Sequence, residues 1–183
     1  DDNIQIPAKL YVYRTPSMKD RDAYVLDMIS SILTDGKSSR MYKKMVDENK
    51  EALQVLAFPR SQEDYGTYVM GALAMGDTPL EQLGKSIDEE IEKLQNELIS
   101  EKEYQKLQNK FENRFVNSNS NIQGIASSLA TYHTLYGDVD LINEEIDIYR
   151  SITREEIREV AKKYLNKNQR LDLDYLPTPE DAK

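Results

Sequence analysis

The sequence contains no cysteine and only one histidine in 183 residues. The absence of cysteine excludes disulfides, thiolate metal sites and cysteine nucleophiles together. It does not indicate a compartment, because chains without cysteine occur in the cytoplasm, in the periplasm and outside the cell. We therefore make no prediction of localisation.

Basic side chains are in the minority. The chain has 24 Lys and Arg against 33 Asp and Glu, which gives a net charge of -9. Phosphate binding requires clustered Lys and Arg. The densest basic stretch in the second half of the chain, KNQR at residues 167–170, is interpreted as a helix end followed by a turn. We expect no nucleic-acid partner.

Long hydrophobic runs are also missing. No run approaches the roughly 18 apolar residues that a membrane-spanning helix requires. The first ten residues, DDNIQIPAKL, lack the basic and apolar regions of a signal peptide. The sequence as given predicts no membrane span, no membrane contact and no export signal of its own.

The chain nevertheless has enough apolar material to fold. Hydrophobic residues make up 39% and charged residues 31% of the sequence. A chain of this length can bury about 70% of the surface that it exposes when unfolded. We predict that residues 1–183 form one domain.

Strand and helix patterns alternate along the first half. The predicted elements are a strand at residues 8–15, a helix at 20–33, a short helix carrying Met41, Met45 and Val46, and an antiparallel hairpin of strands at 53–58 and 67–75. Gly36 offers a left-handed cap after the first helix, and Pro59 is expected to end the second strand.

Helices dominate the second half. The predicted elements are helices from Thr78 to about Leu98, from Ser100 through Phe115, at 122–136, at 141–149 and from Thr153, and a final strand at 170–177. Thr78, Ser100 and Thr153 are each followed three residues later by Glu, which predicts three capping boxes. The alternation of Leu171, Leu173 and Tyr175 predicts a half-buried strand. The fold class is therefore α+β, with an antiparallel or mixed sheet of about four strands covered on one face by several helices.

No self-contained active site is predicted. A zinc site needs several converging ligands, but the single histidine, His133, is interpreted as a packing or surface residue of a helix. The carboxylates lie beside Lys and Arg on predicted helices, which is typical of solvated faces. The serines after Gly36 lack the glycines of a nucleophile elbow, and Ser31 stands where a phosphate-binding loop needs glycine. We predict no catalytic, cofactor-binding or metal-binding residue in this chain.

Four segments carry a resemblance to a known family. Residues 24–58, YVLDMISSILTDGKSSRMYKKMVDENKEALQVLAF, resemble the pitrilysin, insulinase and mitochondrial processing peptidase family, in which a helix ends at a glycine, Ser-Ser-Arg opens a second helix and a strand follows. Residues 7–24 are similar to the family's first strand and turn, residues 80–111 to its paired long helices and residues 149–177 to its closing helix and strand. Together the resemblance covers residues 6–177.

The resemblance implies a processing-peptidase-like metallohydrolase fold and a non-catalytic role. In this family two similar domains, in one chain or in two subunits, close around an unfolded peptide, and only the N-terminal type carries the inverted zinc motif His-x-x-Glu-His. This chain has no such motif and resembles the C-terminal type. The resemblance implies that zinc belongs to the other half, that the partners are this catalytic domain and a peptide substrate, and that this chain alone is inactive.

Two positions depart from the family pattern. Family members that assist catalysis from this half often supply an arginine on the second helix and a tyrosine seven residues later. An ungapped alignment on the serines places Val46 and Leu53 there, and neither can donate a hydrogen bond. Arg60 and Tyr65 or Tyr68 are nearby in sequence, but their spacing does not match. The resemblance therefore assigns no catalytic helper.

Three hypotheses stay open on sequence alone. The leading one is the non-catalytic domain of a zinc metalloendopeptidase, which encloses peptide substrates. The second is a catalytically inactive structural or interaction domain of the same fold. The third is an autonomous enzyme that uses carboxylates alone. Substrate and oligomeric state are not predicted.

Overall fold

The strands of the computed structural model, which describes residues 6–177, form a four-stranded sheet. The strands are β1 (Ala8–Thr15), β2 (Ala52–Arg60), β3 (Gly66–Ala74) and β4 (Arg170–Tyr175). They lie in the order β2-β3-β1-β4, and each neighbouring pair is antiparallel. The first and last strands are therefore neighbours, and β2 and β4 form the two edges.

The helices pack on one side of this sheet. They are α1 (Arg21–Thr34), α2 (Leu80–Asn96), α3 (Glu101–Ser118), α4 (Ile122–Thr131), α5 (Leu141–Ser151) and α6 (Arg154–Tyr164), with π-helical segments at Tyr42–Glu48 and Tyr132–Tyr136 and a 3₁₀ turn at Lys167–Gln169. Helix α1 packs against β2 and α6, α2 packs against β1, β3 and α6, and α3 contacts α1 and α5. The predicted α+β class, with helices covering one face, is confirmed.

The core lies between the sheet and the helices. Helix α1 is buried along most of its length, with Met28, Ile29 and Leu33 fully shielded from solvent. Tyr13 of β1 and Tyr68 of β3 face each other across the sheet and fill the same layer. Because side chains alternate along a strand, the residues before and after each tyrosine in its own strand point to the opposite face.

Two of the three predicted helix starts are confirmed. Thr153 accepts a hydrogen bond from the Glu156 backbone N–H, and the Glu156 side chain accepts one in return, so this capping box is complete. Ser100 accepts from the Glu103 backbone N–H at 3.2 Å. Each cap satisfies a backbone donor that has no partner inside the helix.

The third start, at Thr78, was wrong by one residue. Pro79 is the N-cap of α2, and the Thr78 hydroxyl donates to the Met75 carbonyl at 2.7 Å. The Thr78 hydroxyl is therefore oriented toward the preceding turn as a donor, whereas the predicted capping box required it as an acceptor for α2. The helix also ends at Asn96, before Leu98, because the chain turns to bury Ile99 instead.

The short helix predicted after Gly36 is present in π-helical form. Gly36 has a left-handed φ of +87° just beyond the end of α1, as predicted. The Asn49 N–H then donates to the Lys44 carbonyl five residues back, at 2.9 Å. Met45 is fully buried, so the segment keeps the apolar side that its sequence predicts.

The predicted hairpin is confirmed as β2 and β3, but β2 does not end before Pro59. The strand continues to Arg60, with Pro59 opposite Tyr68. Proline is tolerated because β2 is an edge strand, where a missing N–H need not cost a ladder hydrogen bond.

Candidate functional site

The face of the sheet turned away from the helices carries apolar side chains in register. Three rows cross the four strands: Phe58, Val69, Val12 and Leu171; Leu56, Gly71, Leu10 and Leu173; Gln54, Leu73, Ala8 and Tyr175. We call this surface the open face. Phe58 is 43% and Leu171 is 58% exposed. A contiguous apolar surface of this kind is typical of a binding site.

The last strand turns its apolar side outward. The alternation of Leu171, Leu173 and Tyr175 correctly predicts a strand, but these side chains lie on the open face, where Leu171 and Tyr175 are exposed. The side of β4 that faces the helices is polar and carries Arg170. The sequence pattern therefore located the strand without showing which of its faces meets the core.

Ion pairs fix this orientation of β4. The Arg170 guanidinium donates to Asp88 of α2 and stacks 3.5 Å from the Tyr11 ring centroid. Lys9 of β1 donates to Asp174 at 2.8 Å. Burial by itself would lower the pKa of Arg170, but the hydrogen bond to Asp88 and the interactions with Tyr13 and Tyr11 together outweigh burial, and the pKa is raised. The polar side of β4 is thus satisfied against the body of the domain.

Gly71 lies at the centre of the open face. A Cβ atom at this position would lie 2.4 Å from both the Lys9 carbonyl oxygen and Cδ2 of Leu10. The Leu10 side chain occupies the space over Gly71, so the apolar surface is continuous across β1 and β3. This close approach requires the glycine.

One end of the open face is basic. Arg60, Thr67 and Arg14 lie opposite one another on β2, β3 and β1, one row beyond Phe58, Val69 and Val12. The Arg14 guanidinium lies 4.9 Å from the centroid of the Tyr65 ring. We call Arg14, Thr67 and Arg60 the basic end of the open face. Sequence reasoning missed this grouping because it depends on strand register.

The two positions that the family pattern assigns to catalytic helpers carry no donors. Val46 is partly buried and packs against the core. Leu53 is 46% exposed, at an irregularity in the pairing of β2. The Tyr68 hydroxyl is buried in the core and accepts a hydrogen bond from Ser30 at 3.0 Å, so it is not a donor on the surface. That this chain has no catalytic residue stays a prediction.

Side-chain hydrogen bonds link the segment after Gly36 to α3. The Arg40 fork donates to both Glu103 oxygens, at 2.9 and 2.7 Å, and Lys106 donates to Ser38. The Glu103 carboxylate is therefore committed to Arg40 and does not complete the capping box with Ser100. Burial would lower the pKa of Arg40, but Glu103, together with the negative charges of Glu90 and Glu97, outweighs burial and the pKa is raised. The geometry gives this segment a structural role.

Breaking this ion pair is expected to destabilise the domain moderately. Arg40→Met should lower the free energy of unfolding by about 1–2 kcal/mol, because a half-buried carboxylate loses two charge-assisted hydrogen bonds. Urea denaturation of Arg40→Met, Glu103→Gln and the double variant measures the coupling between the two side chains. Single-variant losses that add up in the double variant would show that the pair contributes nothing.

The described part of the chain offers no metal-binding cluster. Among residues 6–177 no three His, Asp or Glu side chains are grouped so that they could hold a metal ion. His133, in the second π-helical segment, is exposed. These residues do not fit a zinc site, and we assign none to them.

Comparison with protein-family models gives a match to the peptidase M16 inactive domain over residues 1–111. This chain belongs to that family. The match includes the Gly36 segment, the hairpin and the first of the long helices. In this family zinc belongs to the catalytic domain, and inactive domains pair with catalytic ones. The family predicted from the sequence is confirmed.

Known relatives share this fold. The M16 inactive domain is 26% identical over 160 residues to the zinc protease PqqE of Helicobacter pylori, a match that covers 86% of this chain and 35% of the relative. The chain thus spans about a third of that protein's length. A protease structure from Helicobacter pylori matches with a TM-score of 0.89 and 22% identity, over 97% of this chain and 43% of the other.

A second solved structure has nearly the same extent as this chain. An inactive peptidase domain from Bordetella parapertussis matches with a TM-score of 0.84 and 23% identity, over 96% of this chain and 94% of the other. At these identities the structures show a common fold. In the described part of the M16 inactive domain, no helix has the length and apolar character to cross a membrane.

Proposed function

We propose that this chain is the non-catalytic half of a zinc-dependent metalloendopeptidase and that its open face forms part of the wall of a chamber for unfolded peptides. The observation that supports the proposal is the open face, an apolar sheet surface left uncovered by the domain's own helices. The catalytic half is expected either in the same chain or in a partner subunit.

The chemistry of the open face suits an unfolded peptide. Its three rows contain no charged side chain, and Gln54 is their most polar member. An unfolded peptide exposes apolar side chains in varied order, and burying them contributes roughly 25 cal/mol per Å² of apolar surface without requiring a particular sequence. Such a wall holds many different peptides with moderate affinity.

The rest of the domain supports a role in enclosing the peptide and not a role in catalysis. Val46 and Leu53 supply no hydrogen-bond donor at the positions where the family pattern places helpers, and residues 6–177 offer no cluster of metal ligands. The contribution that we assign to this half is therefore binding and orientation of the peptide.

A charge placed on the open face tests this role. In the complete protein with its catalytic half, Val12→Lys and Leu171→Lys are each expected to raise KM for an unfolded protein substrate about tenfold, since a lysine in the apolar surface weakens peptide contacts by about 1.4 kcal/mol. The initial rates of cleavage give KM and kcat, and metal analysis checks that zinc content is unchanged.

The matched control is Gln105→Lys, which adds the same charge at an exposed position of α3 on the opposite side of the domain. It should leave KM unchanged. Equal KM values for all three variants and the parent protein would contradict the proposal, as would full cleavage activity of a protein that lacks residues 1–183.

Val46 and Leu53 also favour a second candidate, an inactive structural domain of the same fold. If every chain that pairs with this domain lacks His-x-x-Glu-His, the open face is an assembly surface and not a chamber wall. Sequencing or purifying the partner half distinguishes the two functions directly.

A further inference from the structure

Two arginines at the basic end of the open face have no carboxylate partner among residues 6–177. Arg14 lies two residues beyond Val12 and Arg60 lies two residues beyond Phe58, so both project from the open face. Both side chains are exposed, and Thr67 lies between them on β3. No side chain of the described part neutralises this pair.

The other arginines behave differently. Each of the remaining seven has a carboxylate oxygen within 4.0 Å: Arg21, Arg40, Arg114, Arg150, Arg154, Arg158 and Arg170. The chain has a net charge of -9, so carboxylates are in excess. Among the arginines, only Arg14 and Arg60 lack a carboxylate partner in the described structure, and both lie in the same cross-strand row. A shortage of acidic residues does not explain this, because acidic residues outnumber basic ones in the chain.

The geometry of this row fits one carboxylate. Strands are about 4.8 Å apart, so the two arginines stand on backbones roughly 10 Å apart with β3 between them. Side chains of this length can both reach a group placed above Thr67, whose hydroxyl supplies a further donor. The Tyr65 ring, 4.9 Å from the Arg14 guanidinium, supports that side chain by a cation–π contact.

We infer that the basic end, Arg14, Thr67 and Arg60, binds a carboxylate of a peptide that lies on the open face. The inference rests on the proposed function, and it gives the chamber wall a preference for one substrate class. Alternate residues of an extended peptide are about 6.6–6.8 Å apart, which equals the spacing of the rows. The preferred peptide has apolar residues at alternate positions followed by a carboxylate, either an Asp or Glu side chain or the chain terminus.

Three competitor peptides test the inference. All carry Leu-Ser-Leu-Ser; the first ends in glutamate amide, the second in glutamine amide and the third in glutamine with a free C-terminal carboxylate. Their inhibition constants are measured with the complete protein against a fluorogenic reporter peptide. At least one carboxylate peptide should compete about tenfold more tightly than the glutamine amide, as a charge-assisted hydrogen-bonding pair allows. The glutamate and the free-terminus arms show which carboxylate is bound.

Variants locate the preference. The double variant Arg14→Gln, Arg60→Gln should abolish the tenfold preference for the carboxylate peptide over the glutamine amide, because both charged donors are lost. Arg158→Gln is the matched control, since it removes a partly exposed arginine of α6 that is already paired with Glu159. It should keep the preference intact.

The outcomes separate this inference from the proposed function. If the acid and amide peptides compete equally while Val12→Lys weakens the binding of both, the carboxylate inference is overturned. The proposal that the open face is a chamber wall is then still supported. A preference that survives in the double variant also overturns it. If no peptide competes and Val12→Lys has no effect, both proposals fail.

Discussion

Replacing Tyr149 with alanine is expected to lower the free energy of unfolding by about 4 kcal/mol. Tyr149 lies on α5 and is 8% exposed. Its ring meets Tyr24 of α1 edge-on at 5.3 Å and Phe111 of α3 at 4.5 Å, and its hydroxyl donates to Asp27 at 3.0 Å. Truncation leaves a cavity where three helices meet. Thermal and urea unfolding followed by circular dichroism measure the loss.

Tyr149→Phe separates the ring from the hydroxyl. This variant keeps the aromatic contacts and removes one hydrogen bond, so we expect a loss of only about 1 kcal/mol. Asp27 keeps its ion pair with Arg114. If the phenylalanine variant were as unstable as the alanine variant, the hydrogen bond to Asp27 and not ring packing would hold the three helices together.

Gly71→Ala is expected to lower the free energy of unfolding by about 2–3 kcal/mol, because the methyl group overlaps the neighbouring strand. Its Cβ would lie 2.4 Å from the Lys9 carbonyl oxygen, so β1 and β3 must move apart at the centre of the sheet. The midpoint and slope of urea denaturation measure the change.

Gly36→Ala provides the comparison. A Cβ atom at Gly36 would meet no neighbour within 4 Å, but the residue has a φ of +87°, so alanine there should cost about 1 kcal/mol through backbone strain alone. A Gly71→Ala variant no less stable than Gly36→Ala would mean that the sheet absorbs the methyl group by a small shift, contrary to our expectation.

Local sequence signals predicted most of the fold. The caps at Ser100 and Thr153 were predictable because donor and acceptor lie three residues apart in the chain. The start at Thr78 was not, because this hydroxyl is oriented by donating to the Met75 carbonyl of the preceding turn. Pro59 was read as a strand end, and only the position of β2 at the sheet edge explains why the strand continues.

The candidate site was less predictable, because contacts distant in sequence create it. Alternation of Leu171 with its neighbours defines two faces of β4, but the pairing of Arg170 with Asp88 of α2 decides which face meets the helices. Arg14 and Arg60 become one group only through the pairing of both with Thr67 on β3. The family resemblance predicted the general role of the chain, a non-catalytic domain. Only the pairing register of the strands shows which side chains share the open face.

The place of β4 beside β1 has a consequence for how the domain is made. Synthesis delivers β1 first and β4 last, with the other strands and the six α-helices between them. Until the ribosome has released the final strand, one side of β1 is an unpaired edge and Tyr11 lacks the guanidinium that covers its ring. Unpaired strand edges promote association with other chains. The nascent domain therefore passes through an aggregation-prone stage that ends only when its last segment is in place.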